Sequence, residues 1–155
     1  MREGIGLYRG KREDNGEWVE GYFCKKYFQE FPHDRYVIQY ETKNDSKMWK
    51  PDYMVAEVAP ETIGQFAFID KNGKRAFEDD IVKYKMAYRF SHEDCNDADI
   101  VKEVVGVVKF SNGCFSPRPY ASVCEDYWYS NGAYDFEVIG NIHDNPELLH
   151  NTEKI

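Results

Sequence analysis

Apolar residues along the chain recur mainly with period two, and sustained 3.6-residue periodicity is scarce. In Trp18-Val19-Glu20-Gly21-Tyr22-Phe23-Cys24 the alternation puts Trp18, Tyr22 and Cys24 on one face of a strand. Asn15-Gly16 ahead of it is a strong hairpin signal, so residues 5–9 and 17–25 are expected to pair. Arg35–Glu41 reads as the next strand, with Tyr36, Ile38 and Tyr40 on one face. After the polar break Asn44-Asp45-Ser46, a further strand runs over 53–58 and stops at Pro60.

The second half continues in the same way. A strand is expected over 61–69, followed by a second Asn-Gly turn in Asp70-Lys71-Asn72-Gly73-Lys74. Residues 80–84 form a strand in which Ile81 and Lys83 face away from Val82 and Tyr84. The polar stretch 91–99 reads as a long hairpin loop leading to the β-branched run 104–110. Ser111-Asn112-Gly113 turns that run into Cys114-Phe115-Ser116, and residues 134–142 supply the last strand. Only the end looks helical: Asn145 is a good N-cap, Pro146 suits the first helical position, and Glu147-Leu148-Leu149 completes one short turn. Short strands separated by Gly turns, with almost no helix, indicate a small barrel or sandwich. A lobe boundary is expected at 59–62, giving lobes 1–60 and 61–155, or one continuous domain.

Length and composition fit a folded protein. A chain of 155 residues is the size of one domain and buries enough surface to fold without metal or disulfide. Its 12 Tyr, 10 Phe and 3 Trp argue against disorder despite 31% charged residues. No window holds the roughly 18 apolar residues of a membrane span, and the N-terminus gains a second charge too early for a signal-peptide core. A reducing cytoplasm is therefore expected. Its four cysteines, Cys24, Cys95, Cys114 and Cys124, contain no CxxC pair and read as small hydrophobes.

The net charge of −8 is unevenly spread. Residues 1–77 balance, whereas residues 78–110 carry 5 basic and 8 acidic groups, and residues 111–155 carry 2 and 7. An acidic second half opposes counterion-release binding to nucleic acid. A nucleic-acid alternative would rest on Arg9, Lys11 and Arg12.

Several motifs in fixed order resemble the phage-associated YopX family. They are Asn15-Gly16-Glu17-Trp18-Val19-Glu20-Gly21-Tyr22, Glu61-Thr62-Ile63-Gly64-Gln65-Phe66, Asp70-Lys71-Asn72-Gly73-Lys74 and Asp80-Ile81-Val82-Lys83. Gly106-Val107-Val108-Lys109-Phe110, Gly113-Cys114-Phe115, Val138-Ile139-Gly140-Asn141-Ile142 and Asn145-Pro146-Glu147-Leu148-Leu149 complete the pattern. The resemblance implies a mostly-β protein of phages, prophages or other mobile elements, acting in a bacterial host, with an SH3-like barrel element. It implies no reaction. One position departs from the family: Asp79 stands where a Gly usually precedes Asp-Ile-Val. If the turn needs φ > 0, Asp tolerates it less well than Gly.

Candidate chemistry is sparse. His92, Asp94, Cys95, Asp97 and Asp99 are all possible ligands for a metal-dependent enzyme. The sixth position counted from Asp94 is Asp99 rather than Gly, and no second ligand pair follows, so an acidic hairpin tip is the simpler reading. Within Glu78-Asp79-Asp80, strand alternation would let only Glu78 and Asp80 cooperate as acid and base. Cys114 and Cys124 could meet His143 or His150 in space, but no nucleophile elbow is present. His143 itself reads as a surface residue. No motif calls for a cofactor.

The aromatic cluster Phe115, Tyr120, Tyr127, Trp128, Tyr129 and Tyr134 lies around Pro117, Pro119 and Gly132. Such rings can hold an extended peptide or a protein partner, or they can be core. Arg118 is the only basic residue between Lys109 and Lys154, so a phage or host protein suits the segment better than nucleic acid. The expectation is a mostly-β, two-lobed protein with an SH3-like barrel in its C-terminal part and a short C-terminal helical turn. It is expected to bind a protein partner without catalysis, and free edge strands leave self-association open.

Overall fold

The computed structural model describes residues 6–27, 34–41, 53–88, 100–111, 113–119 and 130–150. Ten strands account for most of them: β1 Leu7–Lys11, β2 Trp18–Tyr27, β3 Asp34–Glu41, β4 Tyr53–Glu57, β5 Gly64–Ile69, β6 Arg75–Phe77, β7 Asp80–Tyr88, β8 Ile100–Ser111, β9 Cys114–Pro119 and β10 Ser130–Asn141. A 3₁₀ turn spans Pro60–Thr62, and one short helix, α1, covers Glu147–His150. The strands form two antiparallel sheets, ordered β4-β3-β2-β1-β5-β6 and β10-β7-β8-β9. The chain divides into two compact units at Phe66/Ala67, inside β5.

In the first unit the Asn15-Gly16 turn joins β1 to β2, with Gly16 at φ +73°, and Tyr8 opposes Gly21 while Lys11 opposes Trp18. Alternation buries Val19 and Ile38 with Ala56 and Val58, and Tyr8, Tyr36, Tyr40 and Ile63 pack around them. Trp18, Tyr22 and Cys24 do share a face, and it is the outer one. The inner face is set by Gly21, where a Cβ would lie 2.1 Å from the Gln39 carbonyl oxygen. Only glycine allows β2 and β3 that approach.

The sheet also curls enough to bring the end of β4 against the end of β1. Arg12 bridges Val58, the Ala59 N–H donates to the Lys11 oxygen at 2.9 Å, and the Glu13 N–H donates to the Glu57 oxygen at 3.1 Å. The buried Thr62 hydroxyl accepts the Lys11 N–H at 2.9 Å and donates to the Ala59 oxygen at 2.7 Å. The 3₁₀ turn occupies residues where the sequence predicts the start of a strand, because Pro60 cannot donate to a ladder.

In the second unit both faces of β7 are covered. Val82 and Tyr84 join Ala76, Val108 and Val138 on one side. Ile81 packs with Val107 and Leu149 on the other, which gives α1 its place. β9 extends through Pro117 and Pro119 beyond the predicted strand, and as an edge strand it tolerates prolines. The sheet stays open among the described residues, and neither unit forms a closed barrel there. The nearest approach to closure is the single Arg12–Val58 bridge in the first unit.

Candidate functional site

The three acids at 78–80 prove to be a turn. Asp79 adopts φ +70°, so the position does require a left-handed backbone. Its carboxylate pairs with the Lys109 ammonium and lies 3.8 Å from His143 Nε2. Asp80 Oδ2 accepts the Phe77 N–H at 2.8 Å, and Glu78 Oε1 accepts the Phe110 N–H at 3.4 Å. Glu78 and Asp80 therefore serve different backbone donors and do not cooperate. His143 is mostly buried rather than on the surface, at 18% side-chain exposure. Asn141 Oδ1 accepts the N–H groups of His143 and Asp144 and folds this corner back toward Asp79.

Asp70 is buried and accepts three backbone N–H groups, from Asn72 and Lys74 at 2.8 Å each and from Val138 at 3.0 Å. Burial raises its pKa, the three donors lower it, and the net effect is below the ordinary carboxylate value. The turn residue predicted at this position thus also fastens the turn to β10.

Cys24 and Cys114 are free, exposed thiols whose sulfurs donate to the Lys25 and Ser111 carbonyls. Cys95, Cys124, His92, Asp94, Asp97 and Asp99 lie outside the described residues, and nothing is said of the His150 side chain. Among the described residues no cluster of three or more His, Cys, Asp or Glu could hold a metal.

The basic residues of the N-terminal hairpin are engaged. The Arg9 guanidinium lies 4.5 Å from the Trp18 ring centre and the Lys11 ammonium 5.8 Å. Arg12 forms two hydrogen bonds to Asp14, at 2.8 and 2.5 Å, which raise the Arg12 pKa and lower that of Asp14. This is a cation ladder on an indole rather than a row of side chains laid out for phosphates.

Of the predicted aromatic cluster, Tyr120, Tyr127, Trp128 and Tyr129 lie outside the described residues. Phe115 packs on the core face of β9, against Phe110 at 5.0 Å between ring centres. Tyr134 sits opposite Lys85 on β7, on the other face of the sheet. The two described members do not form one surface.

The outer face of the first unit brings together residues that the sequence did not single out. Register places Tyr22, Gln39 and Val55 in one cross-strand row, and Tyr53 lies two residues from Val55 on the same face. Tyr22, Tyr53 and Val55 are 57%, 51% and 49% exposed, although Val37 on that face is buried beside the Arg35–Glu57 ion pair. Tyr53 and Val55 adjoin on β4, and Tyr22 lies across the exposed Gln39 from Val55. Single exposed apolar residues are ordinary, and grouped ones are candidates for an interaction surface. Exposure depends on strand order and curl, so period-two alternation could not reveal it.

These features define a mostly-β protein with two antiparallel sheets, no closed barrel among the described residues, and three exposed apolar side chains, Tyr22, Tyr53 and Val55, on the outer face of its first unit. The chain belongs to the YopX protein family, whose model matches residues 7–150. No match was found among curated proteins or among solved structures. No helix among the described residues is long and apolar enough to cross a membrane.

Proposed function

We propose that this chain is a non-enzymatic protein-binding module, an accessory protein of a phage or prophage acting in the bacterial cytoplasm. The observation that carries the reading is the exposed Tyr22–Val55–Tyr53 group on the outer face of β2, β3 and β4. Tyrosine suits such a role: it is large and rigid, it is apolar over most of its surface, and its hydroxyl can stay hydrated. A protein suits the site better than nucleic acid, because Arg9 and Lys11 lie on the Trp18 ring and Arg12 pairs with Asp14. An SH3-like barrel, implied by the family resemblance, would have to use residues beyond those described.

The test compares affinity capture by the wild type, by Tyr22→Ala and by a Tyr127→Ala, Trp128→Ala double variant, from nuclease-treated host lysate with and without phage induction. Tyr22 is exposed, so its truncation leaves the fold intact. It should weaken retention of a stoichiometric partner by about tenfold or more, roughly 1.4 kcal/mol for an interface anchor. Loss in the double variant alone would move the interface to the aromatic segment. Undiminished capture by both variants would contradict the reading.

A further inference from the structure

Sheet edges are sites of unwanted pairing, and proteins blunt them with prolines, bulges, charges or brevity. Among the described residues, three of the four edges here are treated in this way. β9 carries Pro117 and Pro119. β10 has three register shifts and a left-handed residue, Asp135. β6 is only three residues long.

The fourth edge, β4, is different. β4, Tyr53–Glu57, has no proline and no register shift, and its one charge, Glu57, is its last residue. Tyr53, Met54 and Val55 are each about half exposed. The direction of its backbone groups follows from one hydrogen bond. The Val58 N–H donates to Tyr36 on β3 at 2.9 Å. Antiparallel alternation then turns the groups of Ala56 and Met54 toward β3, and those of Tyr53, Val55 and Glu57 outward. The Glu57 carbonyl confirms this assignment, because it accepts from Glu13 on the far side from β3. That contact caps one end of the edge and leaves the Tyr53 and Val55 groups facing outward with no strand beside them among the described residues.

We propose that a second copy of this chain pairs with β4 antiparallel across a two-fold axis at Met54. In that register Tyr53 of one copy and Val55 of the other exchange both N–H···O bonds, and the symmetry-related pair does the same. An aromatic side chain faces a β-branched one on the outer face, a favourable cross-strand pair, and the two Met54 side chains meet on the inner face. Glu57 falls outside the register and is held by Arg35 at 2.9 Å. Charge opposes self-pairing less through this unit than through the other. Residues 1–66 carry ten basic and twelve acidic groups, against ten and sixteen in residues 67–155. The proposal rests on the backbone edge of β4; it shares Tyr53 and Val55 with the partner-binding reading and leaves Tyr22, two strands away, accessible.

Sedimentation equilibrium of the full chain over a dilution series tests it. The wild type should move from the chain mass to twice that mass as concentration rises. Val55→Pro removes an outward N–H and no bond to β3, and should be monomeric with an unchanged circular dichroism spectrum. If that variant does not fold, Val55→Lys sets a charge against Tyr53 of the other copy and should shift the dimer midpoint to higher concentration by at least tenfold. A wild type that stays monomeric throughout would overturn the proposal, as would a dimer indifferent to whichever folded Val55 variant is measured. Tyr22→Ala should dimerise like the wild type. Its loss of partner capture therefore separates failure of the docking face from failure of the edge.

Discussion

Asp79 shows how much one backbone angle can decide. At φ +70° it occupies a conformation that costs most L residues roughly 1–2 kcal/mol, at a position where the family resemblance implies a glycine. Its ion pair with Lys109 offsets part of that cost. Asp79→Ala keeps the strain and loses the ion pair, so urea denaturation should show a loss of roughly 1–2 kcal/mol. Asp79→Gly loses the same pair but relieves the strain, and should fall within about 1 kcal/mol of the wild type. Equal losses in the two variants would show that the angle is not what matters. The need for a left-handed residue was legible in the sequence from the family's glycine alone. The Lys109 and His143 contacts were not, since they join residues from three separate elements.

Asp70 does comparable work between strands, tying the β5–β6 turn to β10 through Val138. Its pKa is lowered on folding, so its contribution to stability is complete above the unfolded-state value and is lost as pH falls through the folded one. Asp70→Asn should cost roughly 1–3 kcal/mol at neutral pH, because an amide replaces a carboxylate oxygen facing buried N–H groups. Urea titrations at neutral and acidic pH should show the difference between variant and wild type shrinking as the pH drops. A constant difference would contradict this role. The strands themselves were readable because apolar alternation and Asn-Gly turns are local signals. Which face of β2 turns inward was not, since Val19 and Phe23 compete with Trp18 and Tyr22, and only the approach of Gly21 to Gln39 decides. That the sheets stay open among the described residues, rather than closing into the expected barrel, was likewise not legible, because closure depends on curl and edge order rather than on any one segment.

The first unit pairs a buried inner face with an outer face on which Tyr22, Tyr53 and Val55 are exposed, whereas the acidic groups concentrate in the second. Exposure of Tyr22, Tyr53 and Val55 arises only when β2, β3 and β4 are in register, so no motif announced it. The crowded aromatic segment drew attention instead, yet alignment to different strands sends Phe115 and Tyr134 to opposite faces. The most direct test of partner binding through the first unit is hydroxyl-radical footprinting of the captured complex against the free chain, read at single residues. Oxidation of Tyr22 and Tyr53 should fall on complex formation, while Tyr134 and Phe110 remain as reactive as before. Unchanged Tyr22 and Tyr53, with protection confined to residues after Phe66, would contradict the account.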